Sequence, residues 1–442
     1  MRRILARVGI VALAAGVIAI PCRAAASALD LYGFGPRATA MGTATVADPG
    51  DPSTVFYNPA GLVGPDTVQL SLGGLWSAPD ITLKRKVATD DPDLATSEPE
   101  AFAGLLLGVQ APAGELAGGR LAVGFGLFLP STKVLRAEAV EPTRPQFLRY
   151  QNIPDAFSAQ IAAAWRSADG VVAVGAGMQT LVDITGDIGF GMDLVGGRLE
   201  RRDVQVEVAP ELSPLAGVLI RPSPGLRLGL AWRAAVALEY DLPLRLELGP
   251  ALQFDLRLQG TALYTPHQIT GGIAWDLPEP PGHGLTLSAE ATWAMWSRAP
   301  DPAPRISVDL GGELLDGLGL GEGLDVQGRP DHAGLLMSDT VIPRIGAEWR
   351  PVRDWAVRAG ASWRPTPVPA PDGPANYADS DAFIASAGLG WRGSDRTTVE
   401  GVAQWIEHSD RPVTKTDRAD AVGDYTIVGR VLTFQTGLRH AW

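Results

Sequence analysis

The side chains able to do chemistry are thinly spread in this chain, and their spacing excludes most enzyme chemistry. The five histidines, His267, His283, His332, His408 and His440, stand far apart and make no zinc-type ligand set. No serine sits in a nucleophile elbow, and no Ser, His and acid motifs combine into a triad. The glycine-rich run Gly311–Asp331, with Asp309 just before it, carries Glu313, Asp316, Glu322, Asp325 and Asp331. These acids suggest calcium, but they lack the alternate spacing of a calcium loop. We read the run as a solvated loop with one helical turn through Leu310, Leu314 and Leu318. Gly33-Phe34-Gly35-Pro36-Arg37-Ala38 has the spacing of a dinucleotide loop, yet no strand precedes it and no βαβ unit follows. What remains is the turn Asn58-Pro59-Ala60. Pro59 fixes its own φ and holds Asn58 out of the helical region, while the Asn58 amide can bond nearby backbone.

That turn lies in residues 29–66, a stretch rich in Gly, Ala and Pro with neither a helical stripe nor strand alternation. It reads as compact irregular structure with one or two short helical turns. Its backbone polar groups need surroundings that pair them. Everything from Thr67 onward is the candidate enclosure.

From Thr67, segments of about ten residues alternate apolar and polar side chains between turn residues, the signature of an outer-membrane barrel. Leu226, Leu228, Leu230 and Trp232 oppose Arg227, Gly229 and Arg233; Trp355, Val357 and Trp363 oppose Arg358, Gly360 and Arg364. Leu285, Leu287 and Trp293 oppose Thr286, Ser288 and Glu290. We place fourteen strands near 67–76, 100–111, 120–130, 154–167, 171–189, 202–221, 226–241, 252–277, 284–298, 339–350, 355–365, 381–392, 396–408 and 425–442. Short connections alternate with long ones, as periplasmic turns alternate with outer loops. Lumen arginines Arg227, Arg233, Arg344 and Arg358 face potential partners in Glu239, Glu290 and Glu348. Of the 12 tryptophans, eleven fall at strand ends, six toward the short turns and five toward the long loops. Indole rings prefer such interfacial belts. Trp232 sits mid-strand and stands outside both.

Residues 1–28 read as a signal peptide. Arg2, Arg3 and Arg7 precede the apolar run Val8–Ile20, and A-x-A sites end at Ala26 and Ala28. Cleavage there would remove Cys22, the one cysteine, together with four arginines, making a chain of net charge −12 more acidic still. That sign argues against nucleic acid as a partner. Only 46% of residues are apolar, and no later run is long enough for a helical membrane span.

Gly35-Pro36-Arg37-Ala38, Ala40-Met41-Gly42, Ala47-Asp48 and Tyr57-Asn58-Pro59-Ala60-Gly61 resemble the N-terminal plug of the FadL family. These are outer-membrane transporters of long-chain fatty acids and other hydrophobic compounds. The resemblance implies an all-β, 14-stranded transmembrane barrel over 67–442 with a plug, 29–66, inside its lumen. It implies that Gly35, Arg37, Asn58, Pro59 and Ala60 belong to a plug that shifts when ligand binds. It implies a third strand kinked inward, for which Gly124, Gly126 and Pro130 are the candidates, leaving a lateral opening to outer-membrane lipid. A ligand groove between outer loops follows, lined by Phe128, Leu129, Leu135 and Phe147, with Lys133 or Arg149 for a carboxylate. Phe190 and Met192 extend it in the next loop, Ile184–Leu199, which is shorter than the family's usual one. Trp442 stands where the family's terminal Phe addresses the barrel-assembly machinery. The expected protein is a monomer that takes up a fatty acid or similar hydrophobic molecule passively, with no cofactor and no metal. An aromatic-hydrocarbon channel, a barrel-based lipase and a structural barrel are the alternatives.

Overall fold

The computed structural model describes residues 28–86, 99–131, 145–147, 149–150, 157–193, 198–248, 252–278, 283–301, 305–311, 324–328, 335–371, 373, 376–416 and 422–442. The signal-peptide run, Lys133, Leu135 and most of 311–331 lie outside them.

Alternation of side chains translates directly into a wall with two faces. Fourteen strands close into an antiparallel ring: β1 (Gln69–Arg85), β2 (Phe102–Leu116), β3 (Gly119–Pro130), β4 (Ser158–Arg166), β5 (Val172–Asp193), β6 (Arg198–Ser223) and β7 (Leu226–Arg233), then β8 (Gln268–Leu277), β9 (Gly284–Ala294), β10 (Thr340–Val352), β11 (Trp355–Arg364), β12 (Ala382–Arg392), β13 (Thr397–Val413) and β14 (Tyr425–Ala441). The ring closes through an unbroken β1–β14 ladder, from Gln69↔Ala441 to Arg85↔Tyr425. Closure matters because lipid offers no partner to a free sheet edge. On the outer face Leu105, Ile161 and Ile345 are more than half exposed, while Gln110, Gln160, Glu290, Arg358 and Gln435 are buried inside.

Two of the expected strands are interrupted near the long-loop end. β7 stops at Arg233 and resumes as Val236–Leu248; its partner Leu252–Thr265 is separated from β8 by Pro266-His267. Proline cannot donate to a ladder. The side chain of His267 instead accepts the Ala235 N–H over 3.0 Å, and Ala234 N–H donates to Pro214 O over 3.0 Å. This break moves Trp232 from mid-strand to the loop end of β7, where it stacks on His267, so it joins the belt. Trp296 does the reverse. Instead of facing lipid it begins a short 3-10 turn and turns toward the loops, against Tyr264 and Arg149.

The outer ends carry additional sheet. Leu252–Thr265 pairs with Val236–Leu248 and with Arg305–Gly311, which pairs in turn with Leu324–Gly328. Leu310 therefore lies on a strand and not on the expected helical turn. The Ile184–Leu199 loop is also mostly strand, because β5 and β6 stay in register out to Asp193↔Arg198. Phe190 and Met192 are accordingly strand residues. Over the lumen, two loops cross: Gln146–Phe147 pairs in parallel with Tyr377–Ala378.

Residues 28–66 fill the lower lumen. They form three short helices, α1 (Ala28–Tyr32), α2 (Pro36–Ala40) and α3 (Thr54–Tyr57), then a 3-10 turn, Pro59–Leu62. No helix among the described residues is long and apolar enough to cross a membrane.

Candidate functional site: the plug and the chamber above it

Short helices without a stripe cannot hold themselves in place, so the plug is fixed by charge, by one amide and by steric fit. Arg37 on α2 is buried; its Nη2 donates to Asp48 Oδ2 over 2.6 Å, and its Nε donates to Glu348 Oε2 over 3.0 Å. Burial opposes this charge, but Asp48 and Glu348 outweigh it and hold the guanidinium firmly protonated. The chain of opposite charges continues both ways. Arg358 bonds Glu348 at 2.7 Å and Glu400 at 3.0 Å, while Arg227 bonds Asp48 at 2.9 Å and also Asp276. An ionic chain thus runs from β13 through the plug to β8. Arg344 pairs with Glu290 at 3.1 Å, and Arg233 with plug residue Asp30.

Asn58 pins the other end. Its backbone is extended, its Oδ1 accepts the Ala60 N–H over 3.1 Å, and its Nδ2 donates to Val46 O at 2.7 Å and to Val218 O on β6 at 3.1 Å. The wall makes room with glycine. A Cβ on Gly175 would lie 2.6 Å from Ala60 N, one on Gly360 2.6 Å from Gly42 Cα, and one on Gly217 would collide with Asn58 Oδ1. Gly35, at φ 89°, opens α2 in a conformation that suits glycine alone.

Above the plug the barrel interior is an apolar chamber filled by its own buried side chains. Its floor is Leu29, Tyr32 and Phe34; Phe102 and Phe128 line the β2–β3 side, Ile406 and Ile427 the β13–β14 side, and Phe147 and Tyr150 close the top. One end is polar. His408 Nε2 is 2.7 Å from Tyr150 OH and its Nδ1 is 3.0 Å from Ser380 Oγ, while Arg364 Nη2 donates to Tyr150 OH over 3.2 Å. Arg149 Nε lies 3.2 Å from Asp379 Oδ2. Burial pushes the Arg149 guanidinium below its ordinary range; Asp379 opposes that and the like charge of Arg364 adds to it. Arg364 Nε is buried with no hydrogen-bond partner among the described residues. The arrangement suits an apolar chain with an anionic head. It does not suit hydrolysis: the second nitrogen of the His408 ring faces Tyr150 instead of a carboxylate, as a triad would require. No group of three potential metal ligands occurs among the described residues.

No protein-family model matches this chain. Alkane uptake protein A of Marinobacter nauticus is 22% identical over 362 residues, 76% of this chain and 73% of that protein. Among solved structures, a FadL homologue of Pseudomonas aeruginosa superposes with a TM-score of 0.56 at 14% identity, covering 95% of this chain and 98% of that one. The toluene transporter TodX of P. putida gives 0.54 at 16% identity, covering 93% and 99%. The toluene transporter TbuX of Ralstonia pickettii gives 0.51 at 15%, covering 93% and 100%.

This is the FadL fold.

Within that FadL fold, Phe128, Phe147 and Arg149 meet around the chamber, whereas Leu129 points to the other face of β3. Gly124 and Gly126 carry no break: β3 stays in register with β2 and β4 through both. Their inner faces instead receive the plug. A Cβ on Gly126 would lie 2.8 Å from Val55 and 3.0 Å from Phe34, and one on Gly124 3.0 Å from Leu62 Cδ1. Pro130 ends the strand opposite Gly104, and the β3–β4 ladder ends earlier, at Phe128↔Ser158. Phe190 and Met192 lie on the β5–β6 hairpin. Sequence reasoning missed Arg364, Tyr150, Asp379 and His408, which are far apart in the chain. It also missed that Arg227 and Arg233 pair with plug carboxylates. The inward-facing glycines were a usable signal, since glycine in a strand marks close approach of other backbone.

Proposed function

We propose that this chain is an outer-membrane channel for passive uptake of hydrophobic small molecules, with a long-chain carboxylate as its substrate. The observation that carries this reading is the buried apolar cluster between the plug and the crossing loops, with Arg149 and Arg364 at one end of it. The likeness of fold to a FadL homologue and to toluene transporters supports the class of cargo.

Substrate enters under the loop roof and rests with its head near Arg149 and its chain along Phe128 and Phe102. A shift of the plug about Asn58 then opens the way on. The exit is sideways past β3. Its inner face at Gly124 and Gly126 has no side chains and is sealed by Leu62, Val55 and Phe34, so plug movement bares it. Lateral release has an energetic reason: at roughly 0.8 kcal/mol per CH₂, about 15 methylenes lose on the order of 12 kcal/mol on entering water. Release into lipid forfeits almost none of that.

An alkane is the second reading, favoured by the 22% identical alkane uptake protein. Uptake of labelled oleate and labelled hexadecane by cells lacking their own transporter tests both. Oleate stimulated above hexadecane supports the carboxylate; the reverse supports the alkane, and neither stimulated rejects the uptake reading. Folded Gly126→Val and Pro130→Ala variants that transport like the parent would remove the route past β3.

A further inference from the structure

The space beneath the plug has the opposite chemistry to the chamber above it. At the short-turn end a cavity of about 370 Å³ opens between the plug underside and β6–β14. It is lined by eight arginines against four carboxylates, in a chain whose net charge is −12. This concentration of positive charge is therefore local. Three of the carboxylates are already committed: Asp48 to Arg37 and Arg227, Asp276 to Arg227, and Glu348 to Arg37 and Arg358.

Two of the lining arginines are left over. Arg221, at the end of β6, and Arg392, at the end of β12, have no side-chain hydrogen bond or ion pair among the described residues. The charges that act on Arg221, those of Arg166 and Arg227, are both of its own sign. A guanidinium with no counter-ion of its own beside like charges at the edge of a polar cavity is repelled by them, and a bound anion relieves that repulsion. A guanidinium also offers a planar fork that fits an oxyanion in two parallel bonds.

We propose that this cavity is a binding site for a small oxyanion, a carboxylate or a phosphate, seated at Arg221 and reached from the periplasm. An anion there faces Arg227 as well and competes with plug residue Asp48 for it. The site is separate from the chamber, since the plug and the chain Glu400–Arg358–Glu348–Arg37–Asp48–Arg227 lie between them. It does not depend on what the chamber carries.

The test is equilibrium dialysis of the folded full-length protein in detergent against labelled inorganic phosphate and, separately, labelled hexanoate. Saturable binding is expected, weakened about tenfold by Arg221→Gln and less by Arg221→Lys, which keeps the charge but loses the fork. Arg257→Gln, whose ion pair with Asp241 lies on the outer extension, leaves it unchanged. Tighter hexanoate identifies a carboxylate as the source; tighter phosphate identifies a free or lipid phosphate. If Arg221→Gln does not fold, Arg392→Gln at the exposed rim serves in its place, again with binding weakened. No saturable binding of either anion, or binding indifferent to these arginines, overturns the proposal.

Discussion

Arg37 Nε donates to Glu348 Oε2 over 3.0 Å, joining a five-residue helix to a wall strand 311 positions further along the chain. The bond is buried, and Glu348 shares the same oxygen with Arg358. It is the keystone of plug placement, because α2 is too short to be stable on its own.

Replacing Arg37 with methionine leaves Asp48 and Glu348 buried with one partner fewer each. Breaking a buried pair from one side costs about 3–5 kcal/mol. The barrel of Arg37→Met is expected to remain folded, judged by unchanged heat-modifiability in detergent gels. Backbone amides of 36–48 should exchange with deuterium at least about a hundredfold faster, in keeping with that loss. Unchanged protection would mean that the ionic chain does not hold the plug.

Asn58→Ala removes one acceptor and two donor bonds from a buried turn, worth about 1–3 kcal/mol. Pro59 still shapes the turn, so the plug stays but opens more often. Uptake of the preferred substrate should rise about two- to tenfold at equal amounts of folded protein. An unchanged or lower rate would assign Asn58 to plug structure alone.

Steric fit is tested by two glycines. A Cβ on Gly360 meets plug backbone at Gly42, which cannot give way, whereas one on Gly74 comes no nearer than 3.9 Å to Thr436 Oγ1. Gly360→Val should displace the plug and raise the ion conductance of single channels in planar bilayers. Gly74→Ala should leave conductance and thermal stability as they are.

The polar end of the chamber separates two cargoes. Arg149→Gln and Arg364→Gln each remove a charge-assisted bond to a carboxylate, so half-saturation for oleate uptake should rise about tenfold, or roughly 1.4 kcal/mol. Hexadecane, which has no charge to bind, should be unaffected. Equal effects on both would indicate collapse of the chamber instead of loss of a head-group site.

The wall was legible in the sequence because a two-residue period survives in every strand that has lipid on one side and plug or water on the other. Each of the fourteen strands overlaps a segment where the alternation of apolar and polar residues put one, though β1 runs on to Arg85 and two expected strands are interrupted, and Trp165, Trp275, Trp349 and Trp391 mark the turn side. The exceptions have local causes. The alternation continues past Arg233 although the strand breaks there, because Ala234-Ala235 are turned by the Pro266-His267 kink on the neighbouring chain segment. The plug was legible as a motif but its anchors were not. Arg37, Asp48 and Arg227 are brought together only by closure of the barrel. The cluster of Tyr150, Arg364, Asp379 and His408 draws on two loops and two strands, and no spacing rule joins them.

Movement of the plug relative to β3 is the centre of this account, and a tether tests it most directly. Leu62 packs against Gly124, whose Cβ position is 3.0 Å from Leu62 Cδ1. Cysteines placed by Leu62→Cys and Gly124→Cys can therefore join the Pro59–Leu62 turn to the wall. Uptake of the preferred substrate would be measured in cells with the pair oxidised and then reduced, with disulfide formation verified by mass. Uptake should fall to background when the pair is oxidised and recover on reduction. Full uptake through a completely oxidised protein would contradict a moving plug.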